Sequence, residues 1–147
     1  MALAGTFIRE RLFEEIEIGE SFTTSKGITE ADVVIFAGLV GDFNPIHVNP
    51  EFAKNSMFGQ RIAHGMLTAS FISAAIGVGL PGINSIYLSQ NSRFIKPVFL
   101  GDTITAKVEV TEKIEEKRRL TLRTTVTNQR GELVIDGEAK IMVMKKK

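Results

Sequence analysis

The sequence predicts an α+β fold in which one antiparallel sheet curls around a single long helix. Two observations lead to this fold class. From about residue 85 the chain alternates apolar and polar side chains in four successive runs, which is the two-residue period of strands with one buried face. Before those runs, residues 62–80 contain no Asp, Glu, Lys or Arg. A half-apolar sheet needs an apolar cover, and only this stretch has a suitable length.

Length and composition favour one globular domain, which we assign to residues 1–147. The hydrophobic content of 44% argues against disorder. Eighteen Lys and Arg residues nearly balance 17 Asp and Glu residues, so a net charge of +1 gives no general attraction to nucleic acid or to an anionic membrane. The lack of cysteine excludes disulfides, thiolate catalysis and cysteine-based metal sites. The two histidines lack the spacing of a helical zinc motif, and we expect neither a metal nor a cofactor.

The first part of the chain predicts a strand followed by a capped helix. The strand ends near Gly27, and Thr29 has the position of an N-cap, with the acidic Glu30 and Asp32 in the first helical turn. Apolar residues then recur with helical spacing up to Gly41, a residue type at which helices often end.

Two prolines shape the segment that leads to the long helix. Asn44 must be extended or turned, because a following proline disfavours helical backbone. Asn49 is suited to cap a short helix in which Pro50 takes the first position. The long helix is predicted over residues 62–80. It is apolar on nearly every face, so we expect other structure to wrap it, and its hydroxyls, its glycines and His64 argue against a membrane span.

The rest of the chain predicts four antiparallel strands joined by short turns. The turns are expected at residues 101–102, at a hairpin tip formed by residues 115–118, and at residues 128–131. Each strand would direct its apolar side chains toward the long helix. A sheet curled around one central helix is the hot-dog architecture, and this is the fold that we predict.

Polar side chains collect in residues 42–47, where the predicted fold does not need them. Asp42, Asn44 and His47 bring a carboxylate, an amide and an imidazole together across a proline-stiffened turn. An acid and a base on a rigid loop can position one water molecule and move its protons, and histidine titrates near neutral pH. The alternative is that Asp42 and Asn44 only cap the turn and that His47 is an incidental surface residue.

A second group of candidates lies at the start of the long helix. The first N–H groups of a helix lack internal partners, and Gly65 would let a ligand carbonyl approach them, as a developing oxyanion requires. Gly65 is equally well explained as a packing glycine, and His64 is better explained as a hydrogen-bonded histidine at the helix start than as a catalytic group. Ser73 either faces a ligand or, like Ser70, bonds back to a carbonyl one turn earlier.

Several of these segments resemble a known family. The Asp-x-Asn-Pro-x-His pattern that begins at Asp42 is highly specific, and it closely resembles the signature of the MaoC-like (R)-specific enoyl-CoA hydratases. In that family Asp or a similar residue often stands at the position of Asn49, outside the proposed chemistry. The likeness extends roughly from residue 16 to residue 143 and rests on these segments: residues 41–50, Phe58, residues 62–67, residues 85–88 and residues 96–102.

The resemblance implies a fold, a reaction and a role for each matching residue. The implied fold is the hot dog, and the implied reaction is the reversible hydration of a trans-2-enoyl-CoA to an (R)-3-hydroxyacyl-CoA, in fatty-acid or polyhydroxyalkanoate metabolism. Asp42 and His47 would form the catalytic pair that holds water and moves its protons. The backbone N–H of Gly65 would polarise the thioester carbonyl, and Asn44 and Ser73 would contact the substrate. No metal or cofactor is implied.

Two other functions remain open at this point. The same chemistry would serve a dehydratase of (R)-3-hydroxyacyl groups on acyl carrier protein, an acidic partner that would need a basic rim, and four side chains are candidates for it: Arg93, Lys96, Arg118 and Arg119. A different class is a non-catalytic acyl-thioester binding protein or a hot-dog thioesterase. The sequence does not give the preferred acyl-chain length.

Two further expectations concern assembly and location. A half-covered sheet leaves an open edge, so we expect a homodimer that extends the sheet across a two-fold axis. The N-terminal residues reach the charged Arg9 too early for the apolar core of a signal peptide, which favours a cytoplasmic protein that binds neither membrane nor nucleic acid.

Overall fold

The computed structural model describes residues 7–146. Residues 1–6, on which the expectation about a signal peptide partly depends, and Lys147 lie outside the described residues. The helices are α1 (Glu30–Val40), α2 (Pro45–Val48), α3 (Pro50–Lys54) and α4 (Gly65–Ala74). The strands are β1 (Ser21–Gly27), β2 (Ser85–Phe94), β3 (Thr103–Ile114), β4 (Arg119–Thr127) and β5 (Leu133–Val143).

The five strands form one antiparallel sheet in the order β1-β3-β4-β5-β2. The turns predicted between β3 and β4 and between β4 and β5 are confirmed by these pairings. A turn is present at the predicted residues 101–102, where the Asp102 N–H donates to the Phe99 carbonyl at 3.0 Å. The expectation that it joins β2 directly to β3 is wrong, because β2 pairs with β5 at one edge while β3 lies beside β1. Residues 95–102 instead cross the sheet. At one end Ile95 N–H donates to the Val134 carbonyl, and at the other Gly101 N–H donates to the Ile28 carbonyl.

The central helix begins three residues later than predicted. Ala63 N–H donates to the Val98 carbonyl at 2.7 Å, and Ile62 forms an isolated bridge with Phe99. These contacts hold the backbone extended, so α4 can start only at Gly65. After α4 the helix widens into a π turn over Ala75–Gly79. Among the described residues, no helix has the length and the apolar character needed to cross a bilayer.

One side of α4 packs on the concave face of the sheet, against β3 and β4. Ile72 and Ile76 are almost completely buried there, and β-strand side chains such as Val108 and Leu122 cover them. The opposite side of α4 is exposed in a single chain, and its Met66 is 65% exposed. The helix is therefore wrapped on one side only. Together with the sheet order, this confirms the hot-dog fold and leaves an apolar surface uncovered.

The N-terminal helix α1 is capped as the sequence predicts. Thr29 Oγ1 accepts from the Asp32 N–H at 3.2 Å, and the Asp32 carboxylate accepts from the Thr29 N–H at 2.8 Å. Gly41 ends the helix with a φ of 80°, a left-handed conformation that glycine adopts without strain. This turn reverses the chain and directs Asp42 toward the start of α4.

Candidate active site

The loop of residues 42–47 is a rigid turn built from its own side chains. The Asn44 N–H donates to Asp42 Oδ1 at 3.1 Å, and the Ile46 N–H donates to Asn44 Oδ1 at 3.1 Å. Pro45 is the first residue of α2, where it needs no N–H partner. Asp42 and Asn44 thus cap the turn, as one of the two sequence interpretations proposed. The same turn leads into the one-turn helix α2, and His47 near the end of this helix lies close to Asp42.

Two contacts hold His47 in place, and the first of them determines which ring nitrogen carries the hydrogen. Its Nδ1 lies 2.8 Å from the Ile62 carbonyl, which can only accept, so Nδ1 carries the hydrogen and Nε2 keeps its lone pair. Arg61 Nε donates to the His47 carbonyl at 2.5 Å, and the same guanidinium pairs with Glu30 of α1. His47 as a whole residue is only 9% exposed, so it is not an incidental surface residue.

The environment of His47 favours the neutral imidazole. Burial, the largest cause, lowers its pKa below the ordinary value of 6.5, and the neighbouring His64 acts in the same direction. The hydrogen bond to the Ile62 carbonyl and the negative charge of Asp42 oppose the shift without cancelling it. Near neutral pH the ring is therefore a proton acceptor with a free Nε2.

His64 takes part in the same cluster, which sequence reasoning did not foresee. Its Nε2 lies 2.9 Å from the Asp42 backbone carbonyl, so the hydrogen bond expected at the helix start is present. In addition, its ring stacks on His47 with the centroids 3.8 Å apart and the planes at 29°, and it packs against Phe36 at 4.9 Å. No local signal in the sequence predicts this stack, because it depends on how the loop packs against the start of α4.

Asp42, His47 and His64 are close enough to raise the question of a metal. One possible ligand atom from each residue lies within 4.8 Å of the others. However, the lone pairs of an imidazole lie in the ring plane, and the two stacked rings hold them in nearly parallel planes. That arrangement does not direct both rings at one ion, and the chemistry of the cluster is better described as acid–base.

Gly65 brings a free backbone N–H to this cluster. It is the first residue of α4, so its N–H has no acceptor within the helix and carries partial positive charge. A Cβ at this position would lie 2.8 Å from the Phe94 ring, so only glycine permits the observed packing. Asp42, His47, His64 and Gly65 line one cavity of about 660 Å³.

The surroundings of this cavity are mostly apolar, and a second cavity adjoins it. The second cavity has a volume of about 420 Å³ and includes Lys96 in its lining. The two cavities share Gly65 and Phe94. A ligand group held at the Gly65 N–H can therefore extend in two directions.

The helix serines occupy different positions with respect to the cavity. Ser70 lines it, and its Oγ donates to the Leu67 carbonyl at 2.6 Å, as expected of a hydroxyl on a helix. Ser73 lies one turn further along, on the side of α4 that is exposed in a single chain. Within the described residues, Ser70 is thus nearer to the cluster than the predicted Ser73.

The fold is thus that of a hot-dog protein, in which Asp42, His47 and Gly65 at the start of the central helix line one cavity. Residues 14–131 match the family model described as MaoC like domain. The chain belongs to this family, which confirms the resemblance noted in the motifs.

Individual relatives agree with this assignment. The chain is 50% identical over 131 residues to an (R)-specific enoyl-CoA hydratase of Rhodospirillum rubrum, a match that covers 89% of this chain and 90% of that protein. It is 46% identical over 139 residues to a 3-hydroxybutyryl-CoA dehydratase of Methylorubrum extorquens, covering 95% and 88%. The solved structure of the unliganded R-hydratase PhaJ1 from Pseudomonas aeruginosa superimposes with a TM-score of 0.90 at 42% identity, covering 95% of this chain and 89% of that one.

Proposed function

We propose that this chain is an (R)-specific enoyl-CoA hydratase, which adds water reversibly to a trans-2-enoyl-CoA to form an (R)-3-hydroxyacyl-CoA. One observation carries the proposal: a carboxyl group, an imidazole and the first residue of a helix line the same largely apolar cavity. The similarity to proteins named as hydratases and dehydratases of CoA thioesters supports the substrate class.

The reaction uses each of these groups at a different atom. The thioester oxygen accepts the Gly65 N–H, which stabilises the negative charge that develops there. Asp42 and His47 hold one water molecule between them, and His47 Nε2 takes a proton as the water oxygen bonds to C3. The pair then delivers a proton to C2, so that water is added across the double bond. General acid–base groups of this kind contribute about 10²–10⁴-fold each.

The shape of the site suits a thioester. A carbonyl at Gly65 lets the acyl part extend past Asp42 and His47, while the thiol part extends into the adjoining cavity. Asn44 and Ser73 stay predicted substrate contacts. Asn44 would act through its amide nitrogen, since its Oδ1 accepts from Ile46.

If the substrate is bound to an acidic carrier protein, this chain needs a basic surface beside the site. Three of the four side chains considered for a basic rim form ion pairs within the chain: Arg93 with Asp136, Lys96 with Glu132, and Arg118 with Glu14. Their charge is thus partly compensated, but this does not separate the two substrates, because the phosphates of CoA would need the same basic side chains. Rates measured side by side on enoyl-CoA and enoyl-carrier-protein substrates, over a series of chain lengths, decide between them. Faster turnover of the carrier-protein substrates would reverse the assignment.

A thioesterase or a non-catalytic binding protein would behave differently. Hydrolysis needs water aimed at the carbonyl carbon, whereas the proposed water lies beside C3. Release of free CoA from crotonyl-CoA, with the double bond intact, would favour the thioesterase. Binding without any product would favour the binding protein.

The pH dependence of the reaction follows from the state of His47. The base must be neutral to accept a proton, and burial holds its pKa below 6.5, so activity is retained as the pH falls to 6.5 and is lost only at lower pH. We therefore expect the acidic limb of the kcat/KM profile on crotonyl-CoA to have its midpoint below pH 6.5. A midpoint at or above that value would contradict the role of a buried His47.

We also propose that the protein is a homodimer joined through β2. This strand is one edge of the sheet, and its Leu88 and Phe94 are 43% and 54% exposed. The outer side of α4, which carries Ser73, is exposed as well. A second copy would continue the sheet and cover this surface. Light scattering after size-exclusion chromatography is expected to give twice the chain mass of 16.2 kDa.

Leu88→Asp is expected to dissociate this dimer, because it places a charge at the joined edge. Ile18→Asp is the matched control, since Ile18 is an exposed apolar residue just before β1 at the opposite edge. A monomeric wild type, or equal masses for the two variants, would contradict an interface at β2. The cytoplasmic location and the assignment of residues 1–147 to one domain also stay predictions.

A further inference from the structure

We propose that His64 is a positioning residue of the hydration site. Its Nε2–H holds the Asp42 loop, and its ring holds the ring of His47 by stacking. The proposal rests on the proposed function, because it concerns how that site is held together. His64 does not touch the reacting atoms in this scheme and acts only through Asp42 and His47.

The position of His64 connects the three reacting groups. Its Nε2 lies 2.9 Å from the backbone carbonyl of Asp42, its ring stacks on His47 at 3.8 Å, and its peptide bond supplies the N–H of Gly65. The residue is only 2% exposed. A single buried side chain therefore determines how far the carboxylate loop lies from the helix amide.

The hydrogen bonds assign opposite tautomers to the two rings. His47 bonds a carbonyl through Nδ1 and keeps the lone pair on Nε2. His64 bonds a carbonyl through Nε2 and keeps the lone pair on Nδ1. Among the described residues, His64 Nδ1 is buried without a hydrogen-bond partner. The contact through which the His64 ring holds the loop is therefore the bond from Nε2 to the Asp42 carbonyl.

The stack also shields one face of His47 from water. The charged or titratable groups around His47 are Asp42 on the loop, His64 at the start of α4, and the Arg61 guanidinium on its backbone carbonyl, which is paired with Glu30 of α1. Of these, only His64 covers the ring face. Removing the His64 ring should therefore expose His47 and return its titration toward the ordinary histidine value.

Two substitutions separate the two contacts. His64→Phe keeps an aromatic ring on His47 but loses the donor to Asp42, and we expect kcat on crotonyl-CoA to fall about 10²-fold, as for a misplaced catalytic group. Because the ring face of His47 stays covered, its acidic limb should move less than that of His64→Gln. His64→Gln keeps an amide donor near the position of Nε2 but loses the ring. We expect its acidic limb to move upward toward pH 6.5, with kcat above that limb lowered less than in His64→Phe, because the Asp42 loop keeps its donor.

A spectroscopic readout tests the same contacts without turnover. The chain has two histidines, so ¹⁵N-labelled imidazoles of the untagged protein give two ring spectra. We expect one ring protonated at Nδ1 and the other at Nε2, with the Nε2-protonated signal absent in His64→Phe. The His47 midpoint should rise more in His64→Gln than in His64→Phe.

The possible failures are distinguishable. A wild-type protein that hydrates no enoyl-CoA would defeat the proposed function, and the imidazole spectra would still decide whether His64 positions His47. A wild-type protein that is active, combined with an unchanged kcat in His64→Phe or an unchanged His47 titration in His64→Gln, would overturn the positioning role alone. Two rings in the same tautomer would overturn it as well.

Discussion

Asp42→Asn and His47→Asn are each expected to lower kcat for crotonyl-CoA hydration by about 10²–10⁴-fold, the usual contribution of a general acid–base group. Asparagine at position 42 keeps an oxygen that can accept the Asn44 N–H, so the turn should persist without the carboxylate. Asparagine at position 47 can still donate to the Ile62 carbonyl, as Nδ1 of the histidine does, but it has no basic nitrogen.

The control for these variants is Glu51→Gln. Glu51 is an exposed carboxylate on α3, and the substitution makes the same chemical change as Asp42→Asn. Wild-type kcat is expected for it, and thermal unfolding should show that all three variants fold. Full activity in either Asp42→Asn or His47→Asn would remove that residue from the catalytic pair.

Removal of the Gly65 N–H is expected to lower kcat by about 10²–10³-fold, as found for single oxyanion donors. Proline at this position removes the N–H, and the first residue of a helix accepts proline well. His64 before it is already extended, with ψ at 135°, as a residue before proline needs to be. The added Cβ would meet the ring of Phe94, so the test is made in a Phe94→Ala background.

The matched control is Gly65→Ala in the same Phe94→Ala background. Alanine adds the same Cβ but keeps the N–H, so the ratio of the two kcat values separates the crowding by Cβ from the replacement of the N–H by the proline ring carbon. Equal kcat values for the proline and alanine variants would show that the Gly65 amide does not stabilise the thioester oxygen.

Local sequence signals were sufficient for most elements of the fold. Thr29 and Gly41 mark the ends of α1 because capping depends on residues only a few positions apart. The alternation of apolar and polar side chains along each strand indicated which face of the sheet is apolar. The start of α4 was predicted too early, since the extended backbone at Ile62 and Ala63 depends on partners more than 30 residues away, at Val98 and Phe99.

The candidate site was only partly predictable from the sequence. Asp42 and His47 share one short loop, and a proline turn makes their proximity a local property. The stack of His64 on His47 joins two segments that pack together only in the folded chain, so no sequence spacing indicates it. The sequence could not show which of Ser70 and Ser73 faces the ligand either, because the surroundings of each depend on what covers the outer side of α4.

The most direct test is the configuration of the product formed from crotonyl-CoA. If the Asp42–His47 pair adds water to a thioester held at the Gly65 amide with the proposed (R) specificity, chiral analysis will show (R)-3-hydroxybutyryl-CoA. The (S) product, free CoA with the double bond intact, or unchanged crotonyl-CoA would contradict this mechanism.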